Sequence, residues 1–127
     1  MDKPITLIVD DSVTLRASVR AILESSGYKV YEAENGQKGI EKLKEIYANN
    51  EKVSLIFSDI YMPVMDGIEF IKTVKQSEFK FIPIIVLTTE SQNEMKMKGK
   101  EAGAAGWLLK PFSPEMLIKV AKKFIRT

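Results

Sequence analysis

The chain has 127 residues, 45% of them hydrophobic and 28% charged, with a formal net charge of +2. That is the size and balance of one globular domain, which argues against disorder and gives no basic stripe for direct nucleic-acid binding. With no cysteine and no histidine, disulfides, thiolate metal sites, Ser–His pairs and imidazole zinc centres are excluded, leaving carboxylates, hydroxyls, lysines and the backbone as chemistry.

The opening Met1-Asp2-Lys3-Pro4 runs directly into a strand pattern, with no basic region and no cleavage site of the export type. No apolar run reaches the roughly 18 to 20 residues of a membrane span, so neither membrane insertion nor export is expected. A reducing, cytoplasmic setting suits the absence of cysteine.

Ile5 to Val9 reads as a buried strand. Leu15, Val19, Ile22 and Leu23 then recur on one face of a helix over Ser12 to Ser26, which Gly27 stops. Tyr28 to Ala33 alternates as an edge strand does, Asn35-Gly36 reads as a turn, and Ile40, Leu43, Ile46 and Tyr47 mark a second helix. Val53 to Phe57 is a short apolar strand, followed by Asp66 as the cap of a helix carrying Ile68, Ile71 and Val74, with Phe70 nearby. Phe81 to Leu87 is the fourth strand, with Pro83 tolerable near its start. Glu90 to Ala102 is a weaker helix with only Met95, Gly99 and Ala102 along its stripe. Trp107 to Leu109 is the fifth strand, and Ser113 caps a last helix facing inward through Leu117, Val120, Ala121 and Phe124.

Five strand–helix units without a linker or repeat imply one doubly wound α/β domain over residues 1–127, its parallel sheet covered on both faces. In such sheets ligands bind beyond the carboxyl ends of the strands. Asp10-Asp11, Ser58-Asp59, Thr88-Thr89-Glu90 and Lys110-Pro111 stand at four of those ends, with Glu32 and Glu34 at the edge. Taken singly, each is ordinary: a strand-end aspartate is usually a cap, and a lysine before proline is usually a solvated loop residue. Their joint placement at one rim is not ordinary. Three aspartates repel unless a counter-charge joins them, and an all-oxygen donor set suits Mg²⁺ or Mn²⁺. Lys110 can balance a phosphoryl group, and Thr88 can donate to one of its oxygens.

Val9-Asp10-Asp11, the run Asp59-Ile60-Tyr61-Met62-Pro63-Val64-Met65-Asp66-Gly67, Leu87-Thr88-Thr89-Glu90, and Gly106-Trp107-Leu108-Leu109-Lys110-Pro111-Phe112 resemble a two-component response regulator receiver domain of the CheY-like kind. The four motifs occur in order across nearly the whole chain. The resemblance implies a flavodoxin-like five-stranded parallel sheet, in the order 2-1-3-4-5 known for the family, with five helices. It implies that Asp59 accepts a phosphoryl group from the phosphohistidine of a histidine kinase or phosphotransfer protein, an imidazole this chain cannot supply. Asp11 would ligate Mg²⁺ directly and Asp10 mainly through water, with Asp59 and the backbone carbonyl of Tyr61 completing the set and Lys110 steadying the phosphoryl group. Gly67 would suit a positive φ after the phosphorylation loop, and Lys110-Pro111 would carry a cis bond.

Signalling, by the same resemblance, would shift Thr88 toward the phosphoryl group and turn Trp107 into the vacated space. The family's commoner aromatic there is Tyr or Phe, so Trp107 is either a working switch or a fixed core residue. Tyr61 and Glu90 would flank the path of the attacking water and set the phosphoryl lifetime. The face implied to meet a downstream target carries Trp107 with Lys96, Lys100, Lys119, Lys122 and Lys123, and its lysines are a solvated helix surface or a match for an acidic partner. The expected protein is a stand-alone receiver, with chemotaxis among the suggested pathways, not a conventional turnover enzyme; a piece of a larger regulator would read identically. An aspartate-nucleophile phosphatase or phosphotransferase working through Asp10 is the rival, although its second acid would be expected two residues on. A flavin-binding electron carrier would want a Ser/Thr-rich phosphate loop where Asp10 and Asp11 stand.

Overall fold

The computed structural model describes residues 3–89 and 93–125. Five strands, β1 (Ile5–Val9), β2 (Lys29–Ala33), β3 (Val53–Ser58), β4 (Ile84–Thr88) and β5 (Gly106–Leu109), alternate with five helices. The helices are α1 (Val13–Ser25), α2 (Gly36–Ala48), α3 (Gly67–Lys75), α4 (Asn93–Ala102) and α5 (Pro114–Phe124). All pairings are parallel, and the sheet order is β2-β1-β3-β4-β5.

Strand periodicity sorts the core into two layers. Leu7, Val9, Ile84 and Val86 face α2 and α3, packing with Ile40, Leu43, Phe70, Ile71 and Val74. Ile8, Leu55, Phe57, Ile85 and Leu87 face the other way, onto Val19 and Leu23 of α1 and Leu117 and Ala121 of α5. Each fully buried Val, Leu, Ile or Phe among these stabilises the fold by ~1.5–3 kcal/mol relative to exposure. Ser12, Asp66 and Ser113 cap their helices by accepting from Leu15, Glu69 and Met116 backbone N–H groups, as their residue types lead one to expect. Gly27 ends α1 at φ +91°. Among the described residues no helix is long and apolar enough to cross a membrane.

Three expectations need correction. Asn35-Gly36 is not a free turn: buried Asn35 caps α2 by accepting from Lys38 N–H, and Gly36 is already the first helical residue. The fourth strand begins at Ile84 rather than Phe81, because Phe79 and Ile82 plug the core from a turn that leaves Phe81 87% exposed. Pro83, lacking an N–H, contributes only its carbonyl, which accepts from Ile56. Gly67 does not adopt positive φ; in that loop the left-handed residue is Val64, at φ 68°. The need for glycine at 67 is steric, since a Cβ there would lie 2.1 Å from the Asp59 carbonyl oxygen. The fourth helix is described from Asn93, so Glu90 lies outside the described residues.

Candidate functional site

β1 pairs with β2 on one side and β3 on the other, so its carboxyl end is the switch in strand order where such sheets open a crevice. Val9 stands opposite Ser58, and the Asp59 N–H donates to the Val9 carbonyl at 2.9 Å, which sets Asp59 beside Asp10. Thr88, 1% exposed, ends β4 opposite Leu109, and the Lys110 N–H donates to the Thr88 carbonyl at 2.8 Å. The sheet register thus delivers acids, hydroxyl and lysine to one rim.

Asp10 is 1% exposed and held at every polar atom. Its N–H donates to the Ala33 carbonyl, and its carbonyl accepts from Arg16 Nη1 at 2.5 Å. One carboxylate oxygen accepts from the Ser12 N–H at 2.8 Å, and the other from Lys110 Nζ at 3.0 Å. Asp59 is half-buried; its Oδ1 accepts from the Ile60 N–H at 2.7 Å and its Oδ2 lies 3.5 Å from Lys110 Nζ. Asp11 is exposed. Each aspartate offers an oxygen, and the three oxygens lie within 4.8 Å of one another.

Burial raises the Asp59 carboxyl above its ordinary value; Lys110 opposes this and Asp10 adds to it. The folded protein therefore holds the Asp59 proton more tightly than the unfolded chain, and stability falls as pH rises from the ordinary value of 3.8 through the raised one. In metal-free buffer Asp59→Asn is expected to be the more stable protein near neutral pH. Its advantage should close as the pH drops toward about 4, the ordinary carboxylate range. Thermal unfolding of both proteins across pH checks this; equal midpoints near neutrality would show that Lys110 cancels the burial cost.

The donor set fits a hard divalent cation. Three carboxylates facing one lysine leave a negative, oxygen-only corner with no soft ligand, as Mg²⁺ prefers. Tyr61 is 53% exposed on the loop after Asp59. Trp107 is partly buried against the α2–α4 core layer, its six-membered ring beside Gly99 of α4, where a Cβ would stand 3.2 Å from it. Lys110-Pro111 is cis. Lys96, Lys100, Lys119, Lys122 and Lys123 are exposed on α4 and α5.

Sequence reasoning missed two supports. Arg16 and Arg20, one helical turn apart on α1, both reach Glu32 of β2; their spacing opposite an edge-strand acid was the available signal. Met65 seats the loop after Asp59 on α2, its carbonyl accepting from the Gly36 N–H at 3.1 Å, and no pattern in the sequence announces that contact.

These features are those of a phosphate-handling signalling domain, and comparison with known proteins agrees. The family model for the response regulator receiver domain matches residues 6–122. The chain belongs to that family. It is 39% identical over 114 residues to Protein PilH of Pseudomonas aeruginosa, covering 89% of this chain and 90% of PilH. The crystallised chemotaxis protein CheY4 of Vibrio cholerae superposes with a TM-score of 0.87 at 42% identity, covering 98% of this chain and all of CheY4. A third relative, the sensor histidine kinase CheAY of Helicobacter pylori, is 40% identical over 124 residues, covering 96% of this chain. The chain spans only 15% of CheAY and 47% of the transcriptional regulatory protein ResD of Bacillus subtilis. Receiver domains are signalling proteins rather than conventional enzymes; as a class they take phosphoryl groups from histidine kinases and bind Mg²⁺ at an acidic pocket.

Proposed function

We propose that this chain is a single receiver domain over residues 1–127 that takes a phosphoryl group onto Asp59 and uses it to change its affinity for a target protein. The observation that carries the reading is the convergence of Asp10, Asp11 and Asp59 within 4.8 Å, with Lys110 Nζ 3.0 Å from Asp10 and 3.5 Å from Asp59. The Asp59 oxygen nearer Lys110 attacks phosphorus as the P–N bond to the donor's imidazole breaks; the imidazole leaves with that electron pair and the phosphoryl group ends as an acyl phosphate. Lys110 is placed to meet the charge on the phosphoryl oxygens, so catalysis is positioning and electrostatics.

Asp10, Asp11, Asp59 and the Tyr61 carbonyl would hold Mg²⁺, which when bound neutralises the phosphoryl group. Asp10 already has both oxygens engaged while Asp11 is exposed, which supports Asp11 as a direct ligand and Asp10 as one acting through water. Thr88 and Trp107 form the switch, and the ring's seat at Gly99 links it to α4. The exposed lysines of α4 and α5 flank the face offered to a target, an acidic one by charge. A cytoplasmic histidine kinase or phosphotransfer protein is the donor, and the similarity to CheY4 makes chemotaxis one pathway to test.

Incubation with Mg²⁺ and acetyl phosphate, followed by intact mass, tests this. Labile addition of a single phosphoryl group, lost in Asp59→Asn and dependent on Mg²⁺, is expected. The decay phase of the same experiment reads Tyr61 and Glu90 as lifetime-setting residues. Phosphoryl transfer retained in Asp59→Asn, or turnover of a small phosphate ester through Asp10, would sink the proposal.

A further inference from the structure

Asp11 is the member of the acidic trio whose position is hardest to explain. Its side chain is exposed, and among the described residues no hydrogen bond or ion pair restrains its carboxylate. Its location must come from its backbone. The peptide between Asp10 and Asp11 is planar, so whatever orients the Asp10 carbonyl also orients the Asp11 N–H and directs where the Asp11 Cα leaves the strand.

That carbonyl is gripped from α1. Arg16 Nη1 donates to it at 2.5 Å, while Arg16 Nε donates to Glu32 Oε1 at 3.0 Å. The Arg16 side chain is 13% exposed, far from a solvated surface cation. Glu32, opposite Ile8 on the edge strand, is itself fixed, because Arg20 Nε donates to its other oxygen at 2.7 Å and Arg20 Nη2 donates to the Val30 carbonyl at 3.0 Å. One guanidinium thus bridges the edge strand and the turn that carries two metal-seat acids. A planar fork can make both contacts at once, whereas a lysine ammonium offers no such fixed pair.

We infer that the Arg16–Glu32–Arg20 clamp is a positioning device for Mg²⁺ binding, setting the Asp10-Asp11 turn so that the unrestrained Asp11 carboxylate is presented at the metal seat. The inference rests on the reading of that seat given above. Arg16 bonds to the Asp10 carbonyl and to Glu32 rather than to the seat carboxylates, so it acts through the Asp10 carbonyl, as outer partners at metal sites act through the ligands they orient.

The test is calorimetric titration of Mg²⁺ into wild type, Arg16→Lys, Arg16→Gln and Glu32→Gln, with thermal unfolding of each in chelator. Arg16→Lys keeps the charge and loses the fork, so it separates geometry from electrostatics. Its Mg²⁺ dissociation constant is expected to rise about tenfold or more, the scale on which lost outer partners weaken metal sites. Glu32→Gln, which keeps an acceptor for Arg16, should weaken binding less and serves as the readout if both Arg16 variants unfold. Glu51→Gln, breaking the Lys29–Glu51 pair of 2.8 Å at the opposite end of β2, is the control that lowers stability without changing Mg²⁺ affinity. A wild-type dissociation constant in folded Arg16→Lys would overturn the clamp's role alone. Wild type that binds no Mg²⁺ would overturn the metal seat and this inference with it.

Discussion

Lys110→Met is expected to slow phosphoryl uptake by Asp59 about a hundredfold or more, the scale on which removal of one preorganised donor slows a charged transition state. Methionine keeps much of the apolar stem and deletes only the ammonium, so the loss reports charge rather than packing. The same substitution should have an opposite effect on the metal. With Nζ gone from its places 3.0 Å from Asp10 and 3.5 Å from Asp59, nothing offsets the repulsion among the aspartates, and Mg²⁺ should bind more tightly. In chelator the variant should lose on the order of 3 kcal/mol of stability, because Asp10 is left buried without its cation, and Mg²⁺ should restore much of that. Stopped-flow phosphorylation, calorimetric titration and melting with and without Mg²⁺ give the three readouts. An uptake rate within threefold of wild type would remove Lys110 from the chemistry.

Gly67→Ala is the second large effect, and it acts on Asp59 from behind. The new methyl would sit 2.1 Å from the Asp59 carbonyl oxygen and 2.7 Å from the Ile60 Cα, both of them backbone atoms that cannot swing aside. The Gly67 N–H meanwhile donates to the Ile60 carbonyl at 2.7 Å, so the loop is tied at the place where it would have to open. A loss of about 3 kcal/mol is expected, at the upper end for overpacking, with a fall in melting temperature on the order of 10 °C. Gly27→Ala makes the contrast. Its Cβ would meet nothing within 4 Å, but its φ of +91° is strained for any L side chain, so about 1 kcal/mol should be lost with phosphorylation intact. If Gly67→Ala proved as mild as Gly27→Ala, the loop would be softer than its contacts imply.

The parts of this molecule that were legible in the sequence are those set by periodicity and by strand ends. Leu7 and Val9 against Ile8, or Leu117 and Ala121 one turn apart, declare their faces because each obeys a short repeat. The acids and Lys110 were legible because parallel strands must end on one rim. What escaped depends on contacts without local pattern. Phe81 looked like strand because an aromatic beside apolar neighbours resembles one. Only the packing of Phe79 and Ile82 shows that the chain turns there and leaves the ring outside. Gly67 was read through its backbone freedom when the reason was the approach of residue 59. The Arg16 clamp joins the Glu32 carboxylate of the edge strand to the Asp10 carbonyl at the end of β1, and carbonyls leave no trace in composition.

The buried contact between Asp10 and Lys110 spans a hundred residues of chain. During synthesis the aspartates emerge early and the lysine late, after four strands have already left the ribosome. A chain whose fifth strand has not docked therefore presents acids with no ammonium among them, since Lys110 follows that strand and meets Asp10 and Asp59 only in the folded sheet. If Asp59 is the acceptor proposed above, competence to take up a phosphoryl group is in this sense a certificate of completed folding, because the site exists only once both ends of the chain have met.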